Sequence, residues 1–308
     1  MILHILLYIA TGILVVFCLK KALRFARMPI HVRWELYPVP HEKGKEYGGS
    51  YFEELDWWTK PRKKDLLGQI KFIVPEIIFL RALFHENKPL WRFSFPFHLG
   101  LYLYVALVAL VFGGTVVALV MGDGGLTNLI NYLSVVLGVA AFICGGFGAL
   151  GLLYMRLTDA NLKLYTAFKD HFNLVLILAL FVTGFLTWIG DESMRLAPFY
   201  GLMTGLLKFE AVETGGAVTA HVLILAFFMA YFPFTHMTHA FTKYFTWEKV
   251  RFSDDPNLPG SKVEARVREV LSYPVTWSAP HIDGRGRSWA EVATSTGIDN
   301  EQAGRKEN

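Results

Sequence analysis

The chain has 308 residues, 53% of them hydrophobic and 18% charged; soluble domains carry roughly a quarter charged residues, so this balance argues against a water-soluble globule. Two cysteines, Cys18 and Cys144, both sit inside apolar runs, which excludes a disulfide scaffold, a cysteine-ligated iron–sulfur cluster and a zinc finger within this chain. The net charge of +4 is small and unevenly placed along the sequence, a pattern that reports membrane orientation rather than nucleic-acid binding.

Five stretches lack Asp, Glu, Lys and Arg: residues 1–19, 93–122, 124–155, 171–190 and 214–242. About 20 apolar residues suffice to cross a bilayer, and a charge at its centre costs a few kcal/mol, so each is expected to span. The first has no basic residue before its apolar run and ends in Lys20, Lys21, Arg24 and Arg27, the flank order of a retained anchor rather than a cleaved signal. Five alternating spans then place the N-terminus outside and the C-terminus in the cytoplasm. Of the 30 Lys and Arg, 15 fall in residues 20–92, 3 in 156–169 and 10 after 242, leaving only Arg195 and Lys208 for the outer loops; the positive-inside rule favours this topology.

The sequence therefore reads as an all-α integral membrane five-helix bundle with a cytoplasmic loop and tail. Its expected parts are a first transmembrane helix (1–24), a cytoplasmic loop (25–92), a four-helix transmembrane domain (93–242) and a cytoplasmic arm (243–308). Within the loop, the aromatic and acidic stretch 51–58 precedes the basic residues Lys60, Arg62, Lys63 and Lys64, read as a membrane-surface anchor in contact with lipid headgroups rather than a partner-docking run. Residues 66–83 mix apolar side chains with Lys71, Glu76 and Arg81, an amphipathic interfacial helix expected to break at Pro75. The uncharged piece 196–207 is too short to span and is expected to be interfacial or re-entrant. After residue 246 the chain is polar and rich in Pro, Gly and Ser, an arm expected to order on a partner. No repeat and no glycine-rich phosphate loop stands out, so nucleotide binding is unsupported.

Histidine placement carries the chemistry. His98, His171, His221, His236 and His239 lie within or at the ends of the spans, where an unpartnered imidazole is expensive. His221 and His239 are 18 residues apart; in one unbroken helix that is five turns and about 27 Å, with both rings on one face and one near each membrane surface. His98 opens the second span at the depth of His239. A heme iron held between His98 and His239 satisfies both imidazoles, and with both axial positions filled it moves electrons rather than binding oxygen. His236, three residues before His239, competes as a ligand or meets a propionate. His171 also lies on the inner side, and His4 on the first span is the outer-side candidate partner for His221. His31, His41, His85 and His281 read as solvated surface residues.

The run from His221-Val-Leu-Ile through Phe232-Pro-Phe-Thr-His236-Met-Thr-His239-Ala-Phe241, together with Phe97-His98-Leu-Gly100, resembles the respiratory nitrate reductase gamma subunit family, five-span cytochromes b. The continuation Lys243-Tyr-Phe-Thr-Trp-Glu-Lys-Val-Arg-Phe-Ser-Asp-Asp-Pro-Asn257 is similar to a branch found in heterodisulfide-reductase-like and sulfite-reduction-associated membrane complexes. The resemblance implies heme b, with His98 and His239 at an inner heme and His221 at an outer one. It implies electron exchange between menaquinone and a cytoplasmic iron–sulfur subunit, other membrane subunits, and the cytoplasmic membrane of a prokaryote. One position departs: the outer heme's other ligand in the family pattern lies ten residues after His98, and here it is Val108. His171 is the replacement to examine, although its depth argues against it; otherwise the outer site is altered or lost. The family's quinone slot lies by the outer heme, which points to Trp188, Asp191, Glu192 and His221, with Asp191 or Glu192 exchanging the quinone proton. Without cluster ligands of its own, such a chain works as an electron-transfer subunit only within a complex. The rival readings are an anchor that has lost heme and a transporter whose histidines relay protons.

Overall fold

The structure, a computed structural model, describes residues 1–27, 54–61, 65–247, 257–279 and 282–295. His31, His41, His281, residues 51–53 and 62–64 of the loop stretch, and residues 248–256 of the segment that continues the resemblance lie outside these. The chain folds as two compact units, residues 1–19 with 71–238 and residues 20–70 with 239–308. Among the described residues the regular structure is helical, and five helices are long and apolar enough to cross a membrane. The all-α membrane bundle expected from the sequence is the fold.

Helix α1 (Ile2–Ala26) contributes its first part to the first unit. Helix α2 (Leu66–Phe79) runs through Pro75 without ending, and the break expected there falls instead at Leu80, whose φ of 53° is left-handed, before the short α3 (Arg81–Glu86). The Glu76 carboxylate accepts from Ala82 N (2.8 Å), stapling α2 to the start of α3. Helix α4 (Lys88–Met121) begins five residues before the charge-free stretch. Asn87 caps it, its Oδ1 accepting from Leu90 N (3.1 Å), and Pro89 sits in the first turn, where no intrahelical donor is needed. Trp91 Nε1 donates to Phe79 O (2.8 Å) and Tyr102 OH to Ile77 O (2.9 Å), fastening the end of α2 along α4.

Helix α5 (Gly125–Thr158) packs along α4 through glycines. A Cβ on Gly100 would overlap the backbone of Gly145, and one on Gly148 would overlap the backbone of Phe97. Lipid tails are as apolar as the side chains, so close backbone approach of this kind, rather than a hydrophobic gain, holds the pair. After the short α6 (Ala160–Tyr165), α7 (Phe168–Ile189) packs against α5, where Phe181 fills the space over Gly145 and Phe142 the space over Gly184. The uncharged piece 196–207 forms helix α8 (Ala197–Lys208), which leans on α4; Leu196 precedes it with φ of 60°, fully buried beside Gly138 and Leu107. Helix α9 (Gly216–Tyr231) packs on α7, and its Val218, Val222 and Ala226 meet Leu7 and Ala10 of α1 and Leu202 of α8.

The fifth span is not one helix to residue 242. Pro233 lacks an N–H, and the chain turns through two 3-10 turns, Phe232–Phe234 and His236–Thr238, with extended Thr235 between them. Thr235 Oγ1 donates to Phe232 O (2.9 Å) and accepts from Met237 N (3.1 Å), fixing the bend. The same-face, 27 Å argument for His221 and His239 needs an unbroken helix, so it does not hold.

In the second unit, α10 (His239–Trp247) is followed by α11 (Lys262–Leu271) and α12 (Trp289–Thr294). The arm thus has local order of its own: Ser261 Oγ accepts from Glu264 N (3.1 Å), Ser288 and Glu291 form a capping box, and Val275 is 2% exposed between the two caps. Glu264 takes a hydrogen bond from Gly260 N, then one from Arg268, and its carboxyl sits below the usual range as a result.

Candidate functional site

His98 stands in the third turn of α4, half-buried. Its Nδ1 lies 2.7 Å from the carbonyl oxygen of Ser94, one turn earlier, and 3.5 Å from Ser94 Oγ. A carbonyl can only accept, so Nδ1 carries the ring proton and the lone pair is on Nε2. A backbone carbonyl bonded to Nδ1–H orients a histidine as an axial ligand's ring is oriented, holding the ring and making Nε2 more basic. His98 therefore fits a heme iron. His239, the first residue of α10 in the second unit, is exposed.

His221 is different. It is 2% exposed, with Nε2 3.0 Å from Tyr104 OH on α4 and Nδ1 3.1 Å from Thr183 Oγ1 on α7. Phe199 of α8 meets its ring edge-on at 5.2 Å and Tyr104 at 6.1 Å. Both nitrogens are engaged and aromatic rings flank the imidazole, so His221 does not fit an axial role here. Reading the sequence for imidazole partners alone missed Tyr104 and Thr183. The signal was present: Tyr104 lies one turn before Val108 on the same span.

The remaining histidines separate. Thr183 stands 12 residues after His171 on α7, about 18 Å along that helix, so His171 is at a different depth from His221 and cannot pair with it. His171 Nε2 is buried without a hydrogen-bond partner. His236 Nε2 lies 4.0 Å from Asp170 Oδ1, while Asp170 Oδ2 caps α7 by accepting from Ala167 N (2.9 Å). His4 is 2% exposed with neither nitrogen bonded, and its Nε2 faces Gly205, where a Cβ would come within 3.1 Å. Because α9 turns Val218 and Val222 toward α1 and His221 toward α4 and α7, His4 and His221 do not face each other.

Trp188 Nε1 donates to Met194 O (3.2 Å). Asp191 is buried and organises its own loop: Oδ1 accepts from Ser193 Oγ (2.7 Å) and Ser193 N (3.1 Å), and Oδ2 from Ala197 N (2.9 Å) and Arg195 N (3.1 Å). Burial works to raise its pKa, but these bonds from Ser193, Ala197 and Arg195 together outweigh it, and the carboxyl sits below its usual range. Glu192 is exposed. A cleft of about 310 Å³ at this end is lined by Asn128, Asn131, Tyr132, Val135, Met194 and Arg195.

Five membrane-length helices with an imidazole oriented by the backbone form a membrane helical bundle that fits a cytochrome of the b type. The chain belongs to the nitrate reductase gamma subunit family, whose model matches residues 82–251, more than half of its length. It is accordingly a membrane cytochrome b electron-transfer subunit of a heme b family whose members work in complexes with other subunits. No curated protein and no solved structure matches the chain.

Proposed function

We propose that this chain relays electrons between menaquinone and a cytoplasmic iron–sulfur subunit of a respiratory complex, in the branch associated with heterodisulfide-reductase-like and sulfite-reduction complexes. Heme b supplies a one-electron carrier whose potential its ligands and surroundings tune. His98 is its ligand from α4, and the resemblance assigns the opposing ligand to His239, with His236 as the neighbouring imidazole for a propionate. The observation that carries this reading is the family match over residues 82–251, and the Nδ1 contact of His98 with the Ser94 carbonyl at 2.7 Å, which orients the ring as a ligand's ring is oriented, supports it. Lys and Arg crowd the segments on the His98 side of the spans, which supports a cytoplasmic C-terminus, an N-terminus outside in a prokaryotic cytoplasmic membrane, and propionates near a basic surface.

Of the chain's own residues, His98 would hold the heme from α4, with its ring oriented by the Ser94 carbonyl. The quinone's place follows the redox centre. A quinone beside a heme at the His221 end would exchange its proton through Glu192, since Asp191 is committed to its loop; a quinone beside His98 would not.

The test is a reduced-minus-oxidised spectrum of the purified full chain, with His98→Ala and His239→Ala. A sharp α-band of low-spin heme b that disappears in both variants, while each still inserts and stays monodisperse, supports the assignment. Unchanged heme content in both variants overturns the ligands, and a wild type without heme leaves an anchor or a transporter.

A further inference from the structure

We infer that this chain binds a single heme, because the place where a second would need His221 is closed by a directed hydrogen-bond chain through Tyr104, His221 and Thr183. The inference rests on the heme reading above and concerns only the number of sites.

The direction of that chain follows from counting protons. Thr183 Oγ1 lies 2.7 Å from the carbonyl of Ala179, one turn back on α7, and 3.2 Å from that of Leu180. Carbonyls only accept, so the single hydroxyl proton of Thr183 points to the helix backbone. Thr183 Oγ1 must then accept from His221, 3.1 Å away, which puts the proton of a neutral imidazole on Nδ1. Nε2 is left with the lone pair, and Tyr104 OH, 3.0 Å from it, is the donor. The order is Tyr104 O–H to His221 Nε2, His221 Nδ1–H to Thr183 Oγ1, and Thr183 O–H to Ala179 O, with no donor left over. The lone pair an iron would require is the one the phenol occupies. Ligation would strand the Tyr104 hydroxyl, on a residue 8% exposed, among apolar side chains.

Space and partners agree. Tyr104 meets Phe181 edge-on at 6.2 Å and Phe142 at 6.3 Å, and Phe199 meets the imidazole edge-on at 5.2 Å, so protein rings flank the hydrogen-bonded pair. Among the described residues no second imidazole faces His221. His171 is a dozen residues from Thr183 along α7, His4 is on α1, which packs on the Val218 and Val222 side of α9, and His98 lies six residues before Tyr104, about 9 Å away along α4. Val108 is 42% exposed on the outside of the bundle, so a side chain there does not look toward His221. A lone heme beside His98 leaves the loop carrying Asp191 and Glu192 about 20 Å along the helices from the redox centre, and quinone exchange belongs at the His98 end.

The experiment is a pyridine hemochromogen assay of heme per chain on the full protein purified from heme-replete membranes, repeated on His221→Phe, on His221→Gln, which keeps an amide to meet Tyr104 and Thr183, and on Tyr104→Phe. The expected result is one heme per chain in the wild type, the same ratio and α-band in every folded variant, and none in His98→Ala. Two hemes per wild-type chain overturn the inference and leave the cytochrome reading intact. A halved ratio in monodisperse His221→Gln does the same. A wild type without heme overturns both.

Discussion

Replacing Tyr104 by Phe removes one oxygen and almost nothing else, so its consequence follows from the hydrogen-bond chain. The ring keeps its contacts with Phe142 and Phe181, while His221 Nε2, inside a residue 2% exposed, loses its donor. An orphaned buried acceptor costs about 1–3 kcal/mol in soluble proteins, and side-chain hydrogen bonds inside membranes average about 0.6 with a maximum near 1.7 kcal/mol, so the expected loss is about 1 kcal/mol. His221→Phe strands the Tyr104 hydroxyl but not Thr183, which keeps Ala179 O. The double variant strands neither partner. The two single costs should therefore sum to more than the double variant loses, with a coupling of about 0.6–1.7 kcal/mol, read by reversible unfolding in mixed micelles titrated with a denaturing detergent. Costs that add to within about 0.3 kcal/mol would show that the phenol and the imidazole are not partners, and the closed-site argument would fail with them.

The loop at Asp191 predicts a pH signature. Because its folded pKa is depressed, its stabilisation is fully present above the ordinary carboxylate value near 4 and is lost as pH falls through the lower folded value; thermal unfolding should show Asp191→Ala costing about 0.5–2 kcal/mol at pH 7 and the gap narrowing toward pH 3. An equal gap at both pH values would remove the carboxylate's charge from the account. At the contact of α4 with α5, Gly148→Leu drives a side chain into the backbone of Phe97 and should cost at least about 1–3 kcal/mol, whereas Gly146→Leu, with open space around its Cβ position, should be close to neutral. Comparable unfolding midpoints for the two would mean that the helices do not approach at Gly148.

What the sequence shows and hides follows from the range of each signal. The spans were legible because charge exclusion acts on every residue of a membrane helix, and α4, α5 and α7 each contain all but one residue of the charge-free stretch that marks them. The kink at Leu80 was not: leucine carries no preference for φ of 53°, and only the packing around it selects that conformation, while Pro75, the residue that does announce a break, is accommodated inside α2. The caps Ser261 with Glu264 and Ser288 with Glu291 were written in the arm as Ser-x-x-Glu, a readable start signal outweighed by the polar composition around it. Asp191 looked like a group free to trade protons because the sequence does not show that Ser193, Arg195 and Ala197 fold their N–H groups back onto it.

The histidines show why a count of imidazoles does not give a count of hemes. Helical periodicity relates two residues only while the helix is unbroken, and Pro233 and Thr235 interrupt the path from His221 to His239, so their spacing of 18 residues says nothing about a shared face. The discriminating property is the destination of each ring's lone pair. At His98 the Ser94 carbonyl takes the Nδ1 proton; at His221 a phenol one turn before Val108 donates to Nε2 and occupies its lone pair. A hydroxyl does for an imidazole in an apolar bundle what an iron would do, giving the lone pair a partner, and it does so without a cofactor. Removing the imidazole of His221 strands the buried Tyr104 hydroxyl, a cost that needs no redox role to arise.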